Sequence, residues 1–272
     1  MHIRILPLLA LTAALCAAQS PAPELTLSVN GQTEARFEPG PPLMVQLSAL
    51  HPHLLDPEPG EDVPPVILPA LDNSWANAVH LTLFNEQGEP VDIAFTLHTP
   101  PEQRLELAHG EQAEAWWSLS PDQTAALPLG RYLVHAVLDT TSFAVGDEWN
   151  GAVTLDNVPL ILTEAASEPT VADQAAGHRL SAQYAALLGN WDEALQHVDA
   201  WITIQPESGL PYAMKGDLLT RAGHPLQAAQ VYTKAMDLDA AATQAAEVHV
   251  RESHNTLDGK ISEILRALAK SN

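Results

Sequence analysis

The pattern of apolar and polar residues changes its period after about position 164. Before that point, apolar residues alternate with polar ones in short runs, which are separated by proline, glycine and asparagine. From about position 174 onward, apolar and small residues recur every three or four positions. A period of two is typical of strands with one buried face, and the longer period is typical of amphipathic helices. The sequence therefore predicts a β-rich first part and a helical second part.

The first part predicts a sandwich of short strands over residues 22–164. The pair Asn30-Gly31 favours a tight hairpin between the first two strands, because both residues tolerate positive φ. Alternating strands at close spacing with turn residues between them are typical of sandwiches. The nine predicted strands are 24–29, 34–37, 43–50, 80–84, 91–97, 105–108, 113–119, 132–139 and 153–162.

One connection in this part carries a more specific signal. Ser120 followed by Pro121 predicts a single helical turn, because serine caps a helix N-terminus and proline fits the first helical position. A strand that begins at Tyr132 follows. This stretch resembles the crossing in immunoglobulin-like sandwiches, where a tyrosine at a strand start bonds back to the preceding connection. The resemblance implies an all-β, immunoglobulin-like domain.

Residues 165–173 are polar and small, and they predict a linker. Thr170 and Asp173 can cap the start of a helix there. Beyond the linker, Gly189 and Ala194 recur 34 residues later as Gly223 and Ala228. Self-similarity at that period indicates stacked helical hairpins.

The two copies resemble the tetratricopeptide repeat. The second copy also matches the aromatic and small positions of that family, and the first departs from it with His178 in place of an aromatic and Trp201 in place of alanine. The resemblance implies an all-α domain with two repeats at 174–240. Two hairpins alone would expose apolar faces, so capping helices are expected at 241–270. The matching positions of the second copy are Tyr212, Gly216, Leu219, Tyr232 and Ala235.

In the tetratricopeptide family, the first helix of each pair lines a concave groove that receives peptides or helices. The resemblance therefore implies partner contacts along the matching faces of this chain. Members that clamp a carboxylate use lysine, arginine and asparagine there, and this sequence departs from that set. The implied groove residues are Arg179, Gln183, Leu187, Leu210, Asp217, Thr220 and Arg221.

Residues 1–18 predict an export signal peptide. A cationic start precedes an apolar run at 5–15, and the small residues after it are typical of a cleavage site near Ala18-Gln19. That run is shorter than the roughly 20 residues of a spanning helix. We therefore expect a periplasmic or secreted chain without an integral membrane span. Cleavage would remove Cys16, the only cysteine, and with it any disulfide or cysteine metal site.

Charge and motifs exclude several classes of function. Residues 19–168 hold 22 carboxylates and three cationic side chains, so nucleic acid is not expected as a partner. No serine elbow or glycine-rich phosphate loop is present. His51, His53 and Asp56 are suitable donors for zinc, but the proline between the histidines opposes their convergence. We expect no enzyme activity, cofactor or metal.

Trp116 is the candidate surface aromatic of the sandwich. Alternation along 113–119 directs Ala115 and Trp117 inward and Trp116 outward, where an indole can stack on a sugar ring or on a partner. Two functional hypotheses follow. The first is an exported, non-catalytic scaffold that holds a protein or peptide partner in the helical groove. The alternative is a carbohydrate- or envelope-surface-binding sandwich, with a helical repeat that is only structural.

Overall fold

The computed structural model describes residues 20–52, 63–98, 104–155 and 157–246. The predicted signal peptide at 1–18 lies outside the described residues, as do His53 and Asp56. Of the predicted capping helices at 241–270, only 241–246 are described, and they continue the last helix of the chain.

Eleven strands are described in the first part. The predicted strands at 24–29 and 43–50 appear with those bounds, whereas 91–97 is reduced to a two-residue strand. A strand at Val66–Pro69 was missed, because four consecutive buried residues give no alternation. The strands are β1 Glu24–Val29, β2 Ala35–Phe37, β3 Leu43–Leu50, β4 Val66–Pro69, β5 Val79–Asn85, β6 Thr96–Leu97, β7 Arg104–Leu107, β8 Gln112–Leu119, β9 Gly130–Asp139, β10 Ala152–Thr154 and β11 Val158–Leu162.

The strands are arranged in three sheets. The first has the order β1-β3-β8-β6, and the second has the order β10-β9-β11-β2 with β5 also paired to β9. β4 and β7 form the third. All the pairs are antiparallel except β2 with β11, which is parallel. The inward side chains of β3, β8 and β9 belong to one buried core, which also contains Trp75 in a 3₁₀ helix at Trp75–Ala78.

The connection from β8 to β9 has the local structure that the sequence predicts. The helix α1, Pro121–Ala125, begins with a capping box in which Ser120 and Gln123 bond reciprocally. The hydroxyl of Tyr132 donates to the carbonyl oxygen of Pro128 at 2.6 Å. Burial raises the pKa of Tyr132, so the hydroxyl remains a donor. This bond ties the start of β9 to the turn before it.

Four helices are described after the sheets. Thr170 and Asp173 form the expected capping box at the first of them. Gly189 and Gly223 have φ of 77° and 83°, which lets the chain turn between the two helices of each pair. The helices are α2 Val171–Leu187, α3 Trp191–Ile204, α4 Gly209–Arg221 and α5 Pro225–Ala246.

The predicted fold class, an all-β immunoglobulin-like sandwich followed by an all-α tetratricopeptide-type domain, is wrong. The described part of the chain is a mixed structure with about 34% helix and 31% strand, in which the sheets come first and the helices follow. α2 contacts β3, so helices and sheets pack on each other. The strands form three sheets rather than two, and they include a parallel pair.

The repeat pattern did not predict the fold class, because its residues meet local requirements of turns and helix contacts. Glycine in a turn and small residues at a helix contact are required by any closely packed helical hairpin, so they do not define a fold class. The predicted end of the second repeat at 240 falls inside α5. α5 passes through that position to Ala246, because the segment 239–246 is rich in alanine and contains neither proline nor glycine.

Small residues decide how closely the helices approach. Gly216 in α4 lies against the aromatic ring of Tyr232 in α5, and a Cβ added at Gly216 would overlap the ring carbons. Tyr232 is 2% exposed, so its ring has little room to move. Gly177 in α2 has no atom near the position that a Cβ would take.

Because of this difference, replacement by alanine should have opposite effects on stability at Gly216 and at Gly177. We expect Gly216→Ala to lower the free energy of unfolding by about 1–3 kcal/mol through overpacking. Gly177→Ala should raise it by up to about 1 kcal/mol, because alanine is the better helix former. Thermal and urea unfolding followed by circular dichroism measure both. Equal effects of the two substitutions would contradict the packing described for Tyr232.

Candidate functional sites in the helical part

Two clefts of the described residues are lined by the helices. The first, the turn cleft, has a volume of about 530 Å³ and lies between the α2–α3 turn and the α4–α5 turn. The second, the junction cleft, has a volume of about 420 Å³ and lies between the first helical pair and two loops of the sheet part. Both clefts draw side chains from α3.

The turn cleft combines an apolar wall with carboxylates. Trp191 and Leu195 lie one turn apart on α3 and both line it. Asp192 and Glu193 occupy the first turn of α3, where the helix dipole favours negative charge. His224 lines the opposite side. The arrangement therefore suits a group that is apolar in one part and cationic in another.

Exposed leucines adjoin the residues that line the turn cleft. Leu188 precedes Gly189 in the first turn and is 47% exposed. Leu226 follows shortly after His224 and is 64% exposed. When large apolar side chains with this exposure occur together, they are typical of a surface that contacts another molecule.

The junction cleft contains a pair of histidines. The Nδ1 atoms of His178 in α2 and His197 in α3 are 3.4 Å apart. Burial lowers the pKa of His178, and the charge of His197 lowers it further. Tyr184 and Glu193 line the same cleft. The facing wall comes from the sheet part and consists of Gly40, Pro41, Pro42 and Pro121.

Of the three groove residues predicted on α2, Arg179 is described in contact with the sheet part. Arg179 approaches the carbonyl oxygen of Asn30, in the β1–β2 turn, with Nη2 at the long distance of 3.5 Å. Gln183 and Leu187 are half-buried. The guanidinium of Arg179 therefore contacts this chain in the described structure.

The groove residues predicted on α4 differ in exposure. Leu210 is 68% exposed, and Thr220 and Arg221 are also exposed. Asp217 accepts a hydrogen bond from the hydroxyl of Tyr232. Burial raises the pKa of Tyr232, and the bond to Asp217 raises it further. None of the seven predicted residues lines the turn cleft or the junction cleft.

Trp116 is half-buried on the outer face of the first sheet, opposite Gln46 of β3. Trp117 is buried on the inner face, as alternation predicts. On the outer face, the neighbouring pair Met44 and Ser118 is covered, with 2% exposure each. The outer face of the sheet is therefore covered on one side of Trp116.

Sequence reasoning missed the residues that line the two clefts. Trp191 follows the glycine turn at Gly189, and an aromatic residue in that position can form a cleft wall. His178 was noted only as a departure from an aromatic position. Its partner His197 is 19 residues away, and no sequence spacing relates two helices that meet face to face.

Within residues 20–52, 63–98, 104–155 and 157–246, no group of three or more histidine, cysteine, aspartate or glutamate side chains is placed to hold a metal ion. His51, a predicted metal donor, is buried with Nε2 at 3.0 Å from the carbonyl oxygen of Pro64.

None of the helices in the described part of the chain has the length and apolarity needed to cross a bilayer.

Comparison with known proteins identifies no family. No protein-family model matches the chain. No curated protein matches it either. Among solved structures, it is similar to a family 123 glycoside hydrolase from Clostridium perfringens at 13% identity and a TM-score of 0.27. That match covers 56% of this chain and 29% of the hydrolase chain. A likeness at this level carries no argument about fold or activity.

Proposed function

We propose that this chain is an exported, non-catalytic binding protein whose helical part holds a protein or peptide partner. The turn cleft is the observation that supports the proposal. It offers about 530 Å³ of open space between two helical turns, with Trp191 as a large aromatic wall. Aromatic residues in such positions contribute a large share of binding energy at protein interfaces.

The chemistry of the turn cleft favours one kind of partner segment. Leu195 beside Trp191 provides an apolar contact for an aliphatic or aromatic side chain. Asp192 and Glu193 are exposed at the same place and attract a lysine or arginine. We therefore infer a segment in which an apolar anchor lies next to a basic residue.

The charge of the whole chain supports the same choice. The formal net charge is −22, so a basic partner would be steered toward this protein and an acidic one repelled. Such steering acts mainly on the association rate and weakens with salt. A partner of this kind should therefore bind faster at low ionic strength.

The groove residues remain a separate prediction for partner contact. Leu210, Thr220 and Arg221 are exposed on α4 and are available to a partner larger than the turn cleft. Arg179 and Asp217 already contact other residues of this chain, so a partner would have to displace those contacts. In the turn cleft, the carboxylate of Glu193 accepts an exposed hydrogen bond from Asn190 at 3.3 Å.

The turn cleft can be tested by site-specific photocrosslinking in cells. We expect a crosslinker at Leu226 to capture one defined protein, and Trp191→Ala to abolish the capture because the apolar wall is removed. Val145, in the sheet part, is the matched control, since it is 69% exposed against 64% for Leu226. Equal capture from both positions, or capture that survives Trp191→Ala, would contradict the proposal.

The groove can be separated from the turn cleft in the same experiment. A crosslinker at Leu210, with Arg221→Ala as the second variant, reports contact along α4. A protein that is captured only through Leu210 and lost only in Arg221→Ala would assign the partner to the groove. That result would contradict partner binding in the turn cleft. It would still support partner binding by the helical part.

The alternative carbohydrate-binding function rests on Trp116. Its half-buried indole beside Gln46 combines an aromatic face with a polar neighbour, which suits a sugar ring. Retention on immobilised envelope polysaccharides that is lost in Trp116→Ala and unchanged in Trp191→Ala would favour this function over protein binding.

Export is tested on the protein purified from cell envelope or culture medium. We expect an intact mass that corresponds to a chain beginning near Gln19, because the small residues before it suit a signal peptidase. The control is the same chain with Ala18→Leu, in which a bulky residue should block cleavage at that site. A mass that retains Met1 in the unaltered chain would refute export by cleavage.

A further inference from the structure

The rim of the turn cleft is apolar and exposed among the described residues. Leu188 and Leu226 adjoin the lining residues and are 47% and 64% exposed. Trp191 lines the cleft and is only half-buried. Asp192 and Glu193 place two exposed carboxylates beside it. Exposed apolar surface of this kind is typical of a docking site, and the charge favours a cationic occupant.

The sequence of the chain itself contains a segment with that chemistry. Residues 260–272 lie outside the described residues and carry three cationic side chains and one carboxylate, whereas the whole chain has a net charge of −22. Lys260 precedes an isoleucine and Arg266 follows a leucine, so a basic residue lies next to an apolar one twice. The large apolar residues recur at the spacing of one helix face, and they are Ile261, Ile264, Leu265 and Leu268.

We propose that residues 260–270 occupy the turn cleft of their own molecule and compete there with an external partner. In this arrangement, the apolar side chains of the segment cover Trp191, and its cationic side chains lie near Asp192 and Glu193. The segment thereby regulates the site at which we propose that a partner binds, so this role rests on that proposed function.

The chain between α5 and the segment is long enough to return to the turn cleft. α5 begins at Pro225, directly after His224 of the cleft, and ends at Ala246. Its 22 residues are about 33 Å long, at about 1.5 Å per residue. Residues 247–259 span up to about 43 Å when extended, at about 3.3 Å per residue. A tether of this kind gives the segment an effective concentration on the order of 1 mM, so it competes well with a dilute partner.

The last helical pair, α4 and α5, is the competing place for the same segment, because a capping element of a repeat would pack there. Charge distinguishes the two places. α4 and α5 together carry three carboxylates and three cationic side chains, so they exert no net attraction on a basic segment. The lining of the turn cleft contains two carboxylates and no lysine or arginine. The cleft is therefore the favoured place.

Photocrosslinking within the purified full mature chain tests this occupant directly. We expect a crosslinker at Leu226 to form an intramolecular crosslink to residues 260–270, identified by mass spectrometry of the peptides. Its yield should not change on tenfold dilution, and Trp191→Ala should lower it several-fold because the apolar wall is removed. The matched control is Val145, which is 69% exposed in the sheet part and should give no crosslink to this segment.

A charge reversal in the segment gives a second readout. Arg266→Glu should lower the yield of the internal crosslink several-fold, because it opposes the carboxylates of the cleft. Arg251→Glu makes the same change of charge outside residues 260–270 and should leave the yield unchanged. In cells, Arg266→Glu should raise the capture of a partner at Leu226 several-fold, since the competitor is weakened.

The outcomes separate this proposal from the proposed function. Partner capture in cells without an internal crosslink in the purified chain would overturn self-occupation and keep the binding function. A crosslink that disappears on dilution would assign the occupant to a second copy, and one that forms equally from Val145 would show no specific site; either result would overturn the proposal. An internal crosslink with no partner captured, even in Arg266→Glu, would confirm the occupant and contradict the binding function.

Discussion

The second sheet depends on strand β9, which forms hydrogen bonds along both of its edges. β9 pairs with β5 on one edge, and with β11 and then β10 on the other. Val134, Ala136 and Leu138 point from it into the core and are fully buried. A shift of one residue in the pairing register of β9 would turn these three side chains outward and expose them to solvent. The hydrogen bond from the hydroxyl of Tyr132 to the carbonyl oxygen of Pro128 opposes such a slip, because it holds the start of β9 in place.

The helices depend on a different constraint, the size of the residues between them. Ala182, Ala185 and Ala194 are buried where α2 meets α3, and Ala228 and Ala235 are buried where α5 meets α4. Short side chains let the helix axes of each pair approach closely. The turn cleft lies between the two turns that join the helices of these pairs.

One carboxylate belongs to both clefts. Glu193, in the first turn of α3, lines the turn cleft and the junction cleft. A cation held in the turn cleft would therefore partly neutralise the negative charge that the junction cleft presents. The carboxylate is exposed, so the size of this effect depends on separation and on screening by salt.

The sequence by itself determined where most elements begin and how they turn. Ser120 and Thr170 cap the helices that they were expected to cap, Gly189 and Gly223 form the turns between helices, and alternation placed Trp117 inward. These features depend on residues close together in the chain, whose conformational preferences act locally.

Only the tertiary structure decided which distant residues meet. The parallel pairing of β2 with β11 joins strands that are far apart in the chain, and the contact of α2 with β3 makes the fold mixed rather than two single-class domains. The approach of His178 to His197 and the position of Arg179 beside Asn30 depend on how whole elements pack. Side-chain spacing along one element carries no information about the orientation of its neighbour, which is set by burial of apolar surface over the whole chain.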